Sequence, residues 1–104
     1  MIQLTTQPTD TGTEVAVRGE VDLESSPELW QDLQRFITQG KTLRINLSGV
    51  PYMDSTGVAV LVRALKQSQS VKGQLVLANP SPRVQAVLDL ARLAQLFTIE
   101  TDAD

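Results

Sequence analysis

Apolar and polar positions alternate along "IQLTTQ" (2–7) and again along "TEVAVRGEV" (13–21), where Ile2, Leu4, Val15 and Val17 fall on one side. The intervening "PTDTG" supplies the Pro, Asp and Gly that tight turns use, so the pair predicts a β-hairpin. In "LESSPELWQDLQRFITQG" (23–40) the period lengthens. Leu29, Leu33, Phe36 and Ile37 share a helical stripe with Trp30 on its flank, and Gly40 stands where a helix would end. Two capping schemes are open at its start: a Ser25–Glu28 capping box, or Ser26 as cap with Pro27 in the first helical position.

Alternation returns in "TLRINL" (42–47), with Leu43, Ile45 and Leu47 set against Arg44 and Asn46. A strand with one apolar face is expected, not one covered by helices on both sides. Beyond Gly57, the residues Val58, Leu61, Val62 and Leu65 keep helical spacing, while Arg63, Lys66 and Gln67 fall mostly elsewhere. "GQLVLAN" (73–79) reads as the next strand. "SPRVQAVLDLARLAQL" (81–96) reads as a third helix, with Ser81 as cap and Pro82 behind it. In that helix Val84, Val87, Leu88, Ala91 and Ala94 can face a sheet. "FTIET" (97–101) adds a short edge strand and "DAD" is expected to fray. The outcome is one two-layer α/β domain over 1–104, with an ordered core over about 2–100 and helices on a single side of the sheet.

Composition narrows the chemistry. The chain has 104 residues, a formal charge of −3 and neither Cys nor His; its calculated pI is about 4.8 and its mean hydropathy −0.06. Nothing there offers the basic surface that nucleic acid or an anionic membrane selects. No apolar run reaches membrane-spanning length, and "MIQLTTQPTD" lacks the basic and apolar regions of a signal peptide, so a cytoplasmic address is expected. Without imidazole there is no Ser-His-Asp relay, and without a thiol no cysteine nucleophile. A serine–lysine pair through Lys41, Lys66 or Lys72 is singled out by no spacing.

The carboxylates Asp22, Glu24, Asp54 and Asp89 form no dense oxygen-ligand loop. Two short motifs lead nowhere. "GKT" (40–42) lacks the earlier glycine of a phosphate loop, since Arg35 stands there, and "NLS" (46–48) needs an export route to be glycosylated. The expectation is a protein that is not an enzyme and holds no cofactor or metal.

The remaining polar cluster is "MDSTG" (53–57), at the entrance of the second helix. Asp54 or Ser55 can cap that helix by accepting from a free N–H, and Gly57 allows either close packing or a close partner. The same entrance carries unpaired N–H groups and a partial positive charge, which suit a phosphate on Ser55. Spacing alone leaves both readings open. Trp30 reads first as a packing residue. Tyr52 and Met53 precede the cluster and either border a partner surface or fill local core, while Arg63 is a possible rim contact on a solvated face.

"GEVDLESSPEL" (19–29), "LRINLSGVPYMDSTGVAVLV" (43–62) and "SPRVQAVLDLARLAQLF" (81–97) together resemble the anti-sigma factor antagonists of the STAS domain family. The resemblance implies a four- or five-stranded mixed sheet with three or more helices packed on one side. It implies binding to a serine kinase that is also an anti-sigma factor, a switch at Ser55 closed by phosphorylation, and a phosphatase that resets it. Asp54, Thr56 and Gly57 match the neighbours of the family's serine, and Asp22 matches an acidic residue in the loop facing it. The family often has a glycine near Arg92, where this chain reads "LARLA", which alters how the last helix ends or packs. The alternative within the family is an unmodified subunit of a lipid-transport ATPase or of a stress-signalling scaffold. No stretch specifies self-association, so a monomer is expected.

Overall fold

The computed structural model describes residues 2–102. Its elements are β1 (Gln3–Pro8), β2 (Gly12–Arg18), α1 (Ser26–Gln34), β3 (Thr42–Gly49), α2 (Ser55–Ser70), β4 (Gln74–Ala78), α3 (Pro82–Leu90), a 3₁₀ turn (Ala94–Leu96) and β5 (Thr98–Glu100). The sheet runs β1-β2-β3-β4-β5, with β1 antiparallel to β2 and every later neighbour parallel. Each parallel crossover advances one strand in the same direction. Since such crossovers share one hand, their helices fall on one face. The five-stranded mixed sheet and three helices are the architecture the resemblance implied.

Register explains the core. Val15 of β2, Ile45 of β3, Leu77 of β4 and Ile99 of β5 lie in one row, and Leu43 pairs with Leu75 beside it. Helical Leu29, Leu33, Leu61, Ala64, Val84 and Leu88 close over these rows and are buried with them. The opposite face is held by charge. Arg44 hydrogen-bonds Glu14 on β2, reaches Glu100 Oε1 on β5 at 3.3 Å and Asp102 Oδ1 at 2.9 Å, and so crosses β4. Val76, its register partner on β4, and Ala78 are buried on that side.

Helix ends differ from the periodicity. The first helix stops at Gln34, not near Gly40, because "FIT" (36–38) is a run of poor helix formers. Phe36 and Ile37 make only i→i−3 bonds, to Leu33 and Gln34. Neither capping scheme forms: Ser25 occupies the cap position without a side-chain cap bond. The third helix ends at Leu90, six residues before the expected limit. Arg92 takes a left-handed φ of 58°, its N–H bonding Asp89 O and that of Leu93 bonding Leu88 O. This is a Schellman closure. Ala91 is therefore exposed, while Val84 and Leu88 face the core as expected. The expected fraying also fails at Asp102, which bonds Arg44 and Asn79; Ala103 and Asp104 lie outside the described residues.

A left-handed position suits glycine and burdens arginine by roughly 1–2 kcal/mol, partly offset by glycine's larger unfolded-state entropy. Arg92→Gly should therefore raise the thermal midpoint by a few degrees, on the order of 0.5–1 kcal/mol. A lowered midpoint in calorimetry would show that another contact of Arg92 outweighs its backbone strain.

Candidate functional site

The entrance of α2 is built from two chain crossings. After β2 the chain leaves the sheet at Gly19, with φ 111°, and a bulge separates Ala16 from Arg18. Val21 then forms an isolated parallel bridge with Met53: its N–H bonds Tyr52 O at 3.0 Å and its carbonyl accepts from Asp54 N at 3.1 Å. Two loops distant in sequence thus become one surface. Val21 and Met53 are both fully buried beneath it.

Gly57 rests directly on that bridge. A Cβ there would come within 2.5 Å of Met53 Cγ and 2.7 Å of Val21 Cγ1. Close packing beneath the helix accounts for the glycine, so of the two sequence readings the internal one has the structural support. Met53, expected as a possible rim residue, is instead this seat in the core. Tyr52 is exposed as a rim residue needs to be, with the Arg83 guanidinium 5.6 Å from its ring centroid.

Asp54 is the cap. Its Oδ1 accepts from Thr56 N at 2.9 Å and from the Thr56 hydroxyl, and its carbonyl accepts from Gly57 N and Val58 N. Ser55 is the first helical residue and is exposed. Its hydroxyl and amide make no hydrogen bond to any described residue. Among the described residues no side chain hydrogen-bonds that hydroxyl.

Asp22 is held beside this entrance by a local network. One carboxylate oxygen accepts from Glu24 N and Ser25 N, each at 3.0 Å, and lies 3.2 Å from Ser25 Oγ. The Ser25 hydroxyl also lies 3.0 Å from Glu20 O and accepts from Asp22 N. The Ser25 backbone N–H, first among these donors, holds the Asp22 carboxyl below its usual range. Ser25 is thus an internal post of the loop, a role missed when its spacing was read only as a helix cap. Leu23, between these residues, is 72% exposed.

Trp30 is half-buried against the core, and the exposed Arg63 lays its guanidinium 4.3 Å from the ring centroid. With Ser26, Pro27 and Val60 they line a shallow depression of about 290 Å³ between α1 and α2. Among the described residues no three Asp or Glu side chains converge as a metal site, and no helix is long and apolar enough to cross a membrane.

Two variants probe this construction. Gly57→Ala should destabilise by about 1–2 kcal/mol, since overpacking of the Val21–Met53 seat exceeds the gain in helix propensity; an unchanged denaturation midpoint would show that the seat yields freely. Asp22→Asn keeps the hydrogen-bond acceptor but removes the titration. Because the folded carboxyl lies below 3.8, its stabilisation is present above that value and vanishes as pH falls through the folded one. Urea titrations of the variant should therefore show a flatter loss of stability in that acid range than the parent. Parallel acid profiles would contradict the assignment.

The STAS domain profile matches residues 2–104. The anti-sigma-B factor antagonist of Bacillus subtilis is 36% identical over 91 residues, covering 88% of this chain and 84% of that one. An anti-sigma factor antagonist from Mycobacterium paratuberculosis superposes with a TM-score of 0.85 at 23% identity, over 96% of this chain and 86% of that one. The phosphorylated form of the Bacillus cell fate determinant SpoIIAA gives 0.73 at 24% identity, over 100% and 93%. With the fold, the bridged loops and the "DSTG" entrance described, the chain belongs to the STAS domain family.

Proposed function

We propose that this protein is an anti-sigma factor antagonist whose docking to a serine-kinase anti-sigma factor is switched off by phosphorylation of Ser55 and restored by a phosphatase. The observation that carries the reading is the exposed Ser55, with an uncommitted hydroxyl, on a helix entrance fixed to the core from below. An exposed hydroxyl with no internal partner can enter another protein's catalytic cleft without disturbing its own fold. Similarity to the Bacillus subtilis antagonist over most of both chains supports the partner class.

Asp54, the Asp22 loop and the start of α2 form the docking surface, with Tyr52 and Arg63 as rim contacts. Thr56 and Gly57 act from beneath, through the cap and the seat. A phosphate on Ser55 adds roughly 1.5–2 negative charges beside Asp54. The first turn's positive end softens the local repulsion, so the fold tolerates the group. A partner surface matched to a neutral serine has no such compensation, and the added charge must be desolvated on docking. The switch is then electrostatic and needs little movement of the backbone. The chain acts as regulator and substrate, without a cofactor, in the cytoplasm and as a monomer.

The test pairs the protein with its cognate kinase and ATP, followed by mass mapping and binding measurements. Phosphate is expected on Ser55, with affinity for the kinase reduced by about tenfold or more, equivalent to at least roughly 1.4 kcal/mol. Ser55→Ala should bind and resist switching, whereas Ser55→Asp should lose less affinity because it adds one charge. Phosphate elsewhere, or none from a kinase active on other antagonists, would overturn the reading. Co-purification with a transport ATPase would favour the alternative subunit role.

A further inference from the structure

The two edges of the sheet are built differently. β5, at one edge, has three residues, with charged Glu100 within it and Asp102 just beyond, both bonded to Arg44. Short strands flanked by charge resist pairing with another chain. β1, at the other edge, has six residues, Gln3–Pro8; none is charged and five are exposed. Its register with β2 runs through all six without a bulge.

Ladder alternation sets which backbone groups of β1 face outward. Thr9 N–H bonds Gly12 O at 3.0 Å, one step beyond the pairing of Pro8 with Thr13. On the other side of β2, Thr42 N–H bonds Thr11 O at 3.0 Å, so the odd-numbered groups of β2 face β3 and the even-numbered ones face β1. Both bonds give the same phase. Gln3, Thr5 and Gln7 exchange bonds with Arg18, Ala16 and Glu14, while the N–H and C=O of Leu4 and Thr6 point away from β2. The sheet ends there, so these groups belong to no ladder within the chain. Pro8 shares their orientation, where its missing N–H costs no internal bond.

Two copies of this strand fit each other. A two-fold axis normal to the sheet keeps opposed side chains on one face only when residues of like parity meet. Centred on Thr5, Leu4 meets the partner's Thr6, and about four N–H···O=C bonds join the copies. Thr5 then meets the partner's Thr5, and Gln3 meets the partner's Gln7. Uncharged cross-strand pairs of this kind are favourable. Centred on Thr6 instead, Leu4 would face the partner's Pro8, and its carbonyl would find no donor. The first register also aligns charge. Arg18 stands beside Gln3 and Glu14 beside Gln7, so each copy's Arg18 shares a row with the partner's Glu14.

We propose that two copies of this chain pair antiparallel through β1, centred on Thr5, into one continuous sheet with the helices of both on one face. The contact buries on the order of 500–700 Å², below the roughly 1,200 Å² of stable complexes. A dissociation constant on the order of 0.1–1 mM follows, so the dilute chain that docks to a partner protein is a single copy. Ser55 begins the helix that joins β3 to β4, away from the joint, and pairing does not depend on its modification.

Sedimentation equilibrium of the full chain tests it. The mean mass should climb from 11.4 kDa toward twice that value as concentration rises from about 0.05 to 2 mM. The sequence has no cysteine, so single cysteines report the register without interference. On mild oxidation Thr5→Cys should form a disulfide-linked dimer, because residues opposed on the axis as a non-hydrogen-bonded pair stand about 4.5 Å apart at Cα. Gln7→Cys, facing the partner's Gln3, should cross-link at least about tenfold more slowly. Thr6→Pro and Thr6→Lys change the edge and no bond to β2, so each should weaken association by about tenfold or more. Circular dichroism checks their folding, and the lysine variant decides if proline disturbs the strand. A mass fixed at one copy across the range, equal cross-linking of Thr5→Cys and Gln7→Cys, or undiminished pairing of folded Thr6→Lys would each overturn the proposal.

Discussion

The contact of Gly57 with Val21 and Met53 is the constraint on which the rest of the site depends. Removing one side chain lets α2 descend onto a bridge between two loops that otherwise share no sheet partner. That single approach fixes the height of the helix entrance, aligns Asp54 N with Val21 O and brings the Asp22 loop alongside. Close-packed interiors resist small displacements, so an entrance seated on buried Val and Met is held in place more firmly than a free loop would be. Exposure of Ser55 is thus a consequence of burial beneath it.

In the proposed switch, a firmly held entrance also decides what kind of signal it can carry. The cap at Asp54 already satisfies Thr56 N, and the Asp22 carboxylate is already bonded by its own loop. Neither acid needs a new partner to be stable. Change in such a surface comes most readily through charge, which reaches a docked neighbour across a short distance without moving the backbone. Leu23, between Asp22 and Glu24, adds an exposed apolar side chain to the same loop.

Much of this was legible in the sequence because strands and helix starts write local patterns. Alternation located β1, β2 and β3, the short runs at 73–79 and 97–101 placed β4 and β5 without it, and the polar–Pro or Asp-Ser-Thr-Gly openings located the helices. Helix ends were not legible, for a physical reason. Both α2 and α3 close with Schellman bonds around left-handed non-glycine residues, Lys72 and Arg92, where the expected glycine signal is shifted or missing. Gly73 stands one place late because its own Cβ would strike Lys41 O. Met53 was obscure for another reason: a lone apolar residue in a polar loop has no periodicity, and its bridge partner lies 32 residues away in the chain. The same holds for Arg44, whose alternation marked it as outward-facing but whose acids sit on β2, on β5 and just beyond β5.

The two sheet faces therefore rest on different physics, and that division bears on α2. Its own face is sealed by aliphatic rows, with Leu61 and Ala64 fully buried at mid-helix. The outer face is tied by the Arg44 cluster, which fastens β5 and Asp102 across β4. Asn79, left-handed with φ 54°, bonds Asp102 through both ends of its amide and completes that attachment. A three-residue strand has few ladder bonds of its own, so these charged and amide contacts add to its three register pairs with β4 and to the packing of Ile99 on the core. Because β5 is so short, its pairing begins only at Val76, and the 3₁₀ turn, not a strand, lies beside the start of β4 near the C-terminal end of α2. One helix consequently joins an entrance fixed by packing to an exit bordered by a turn.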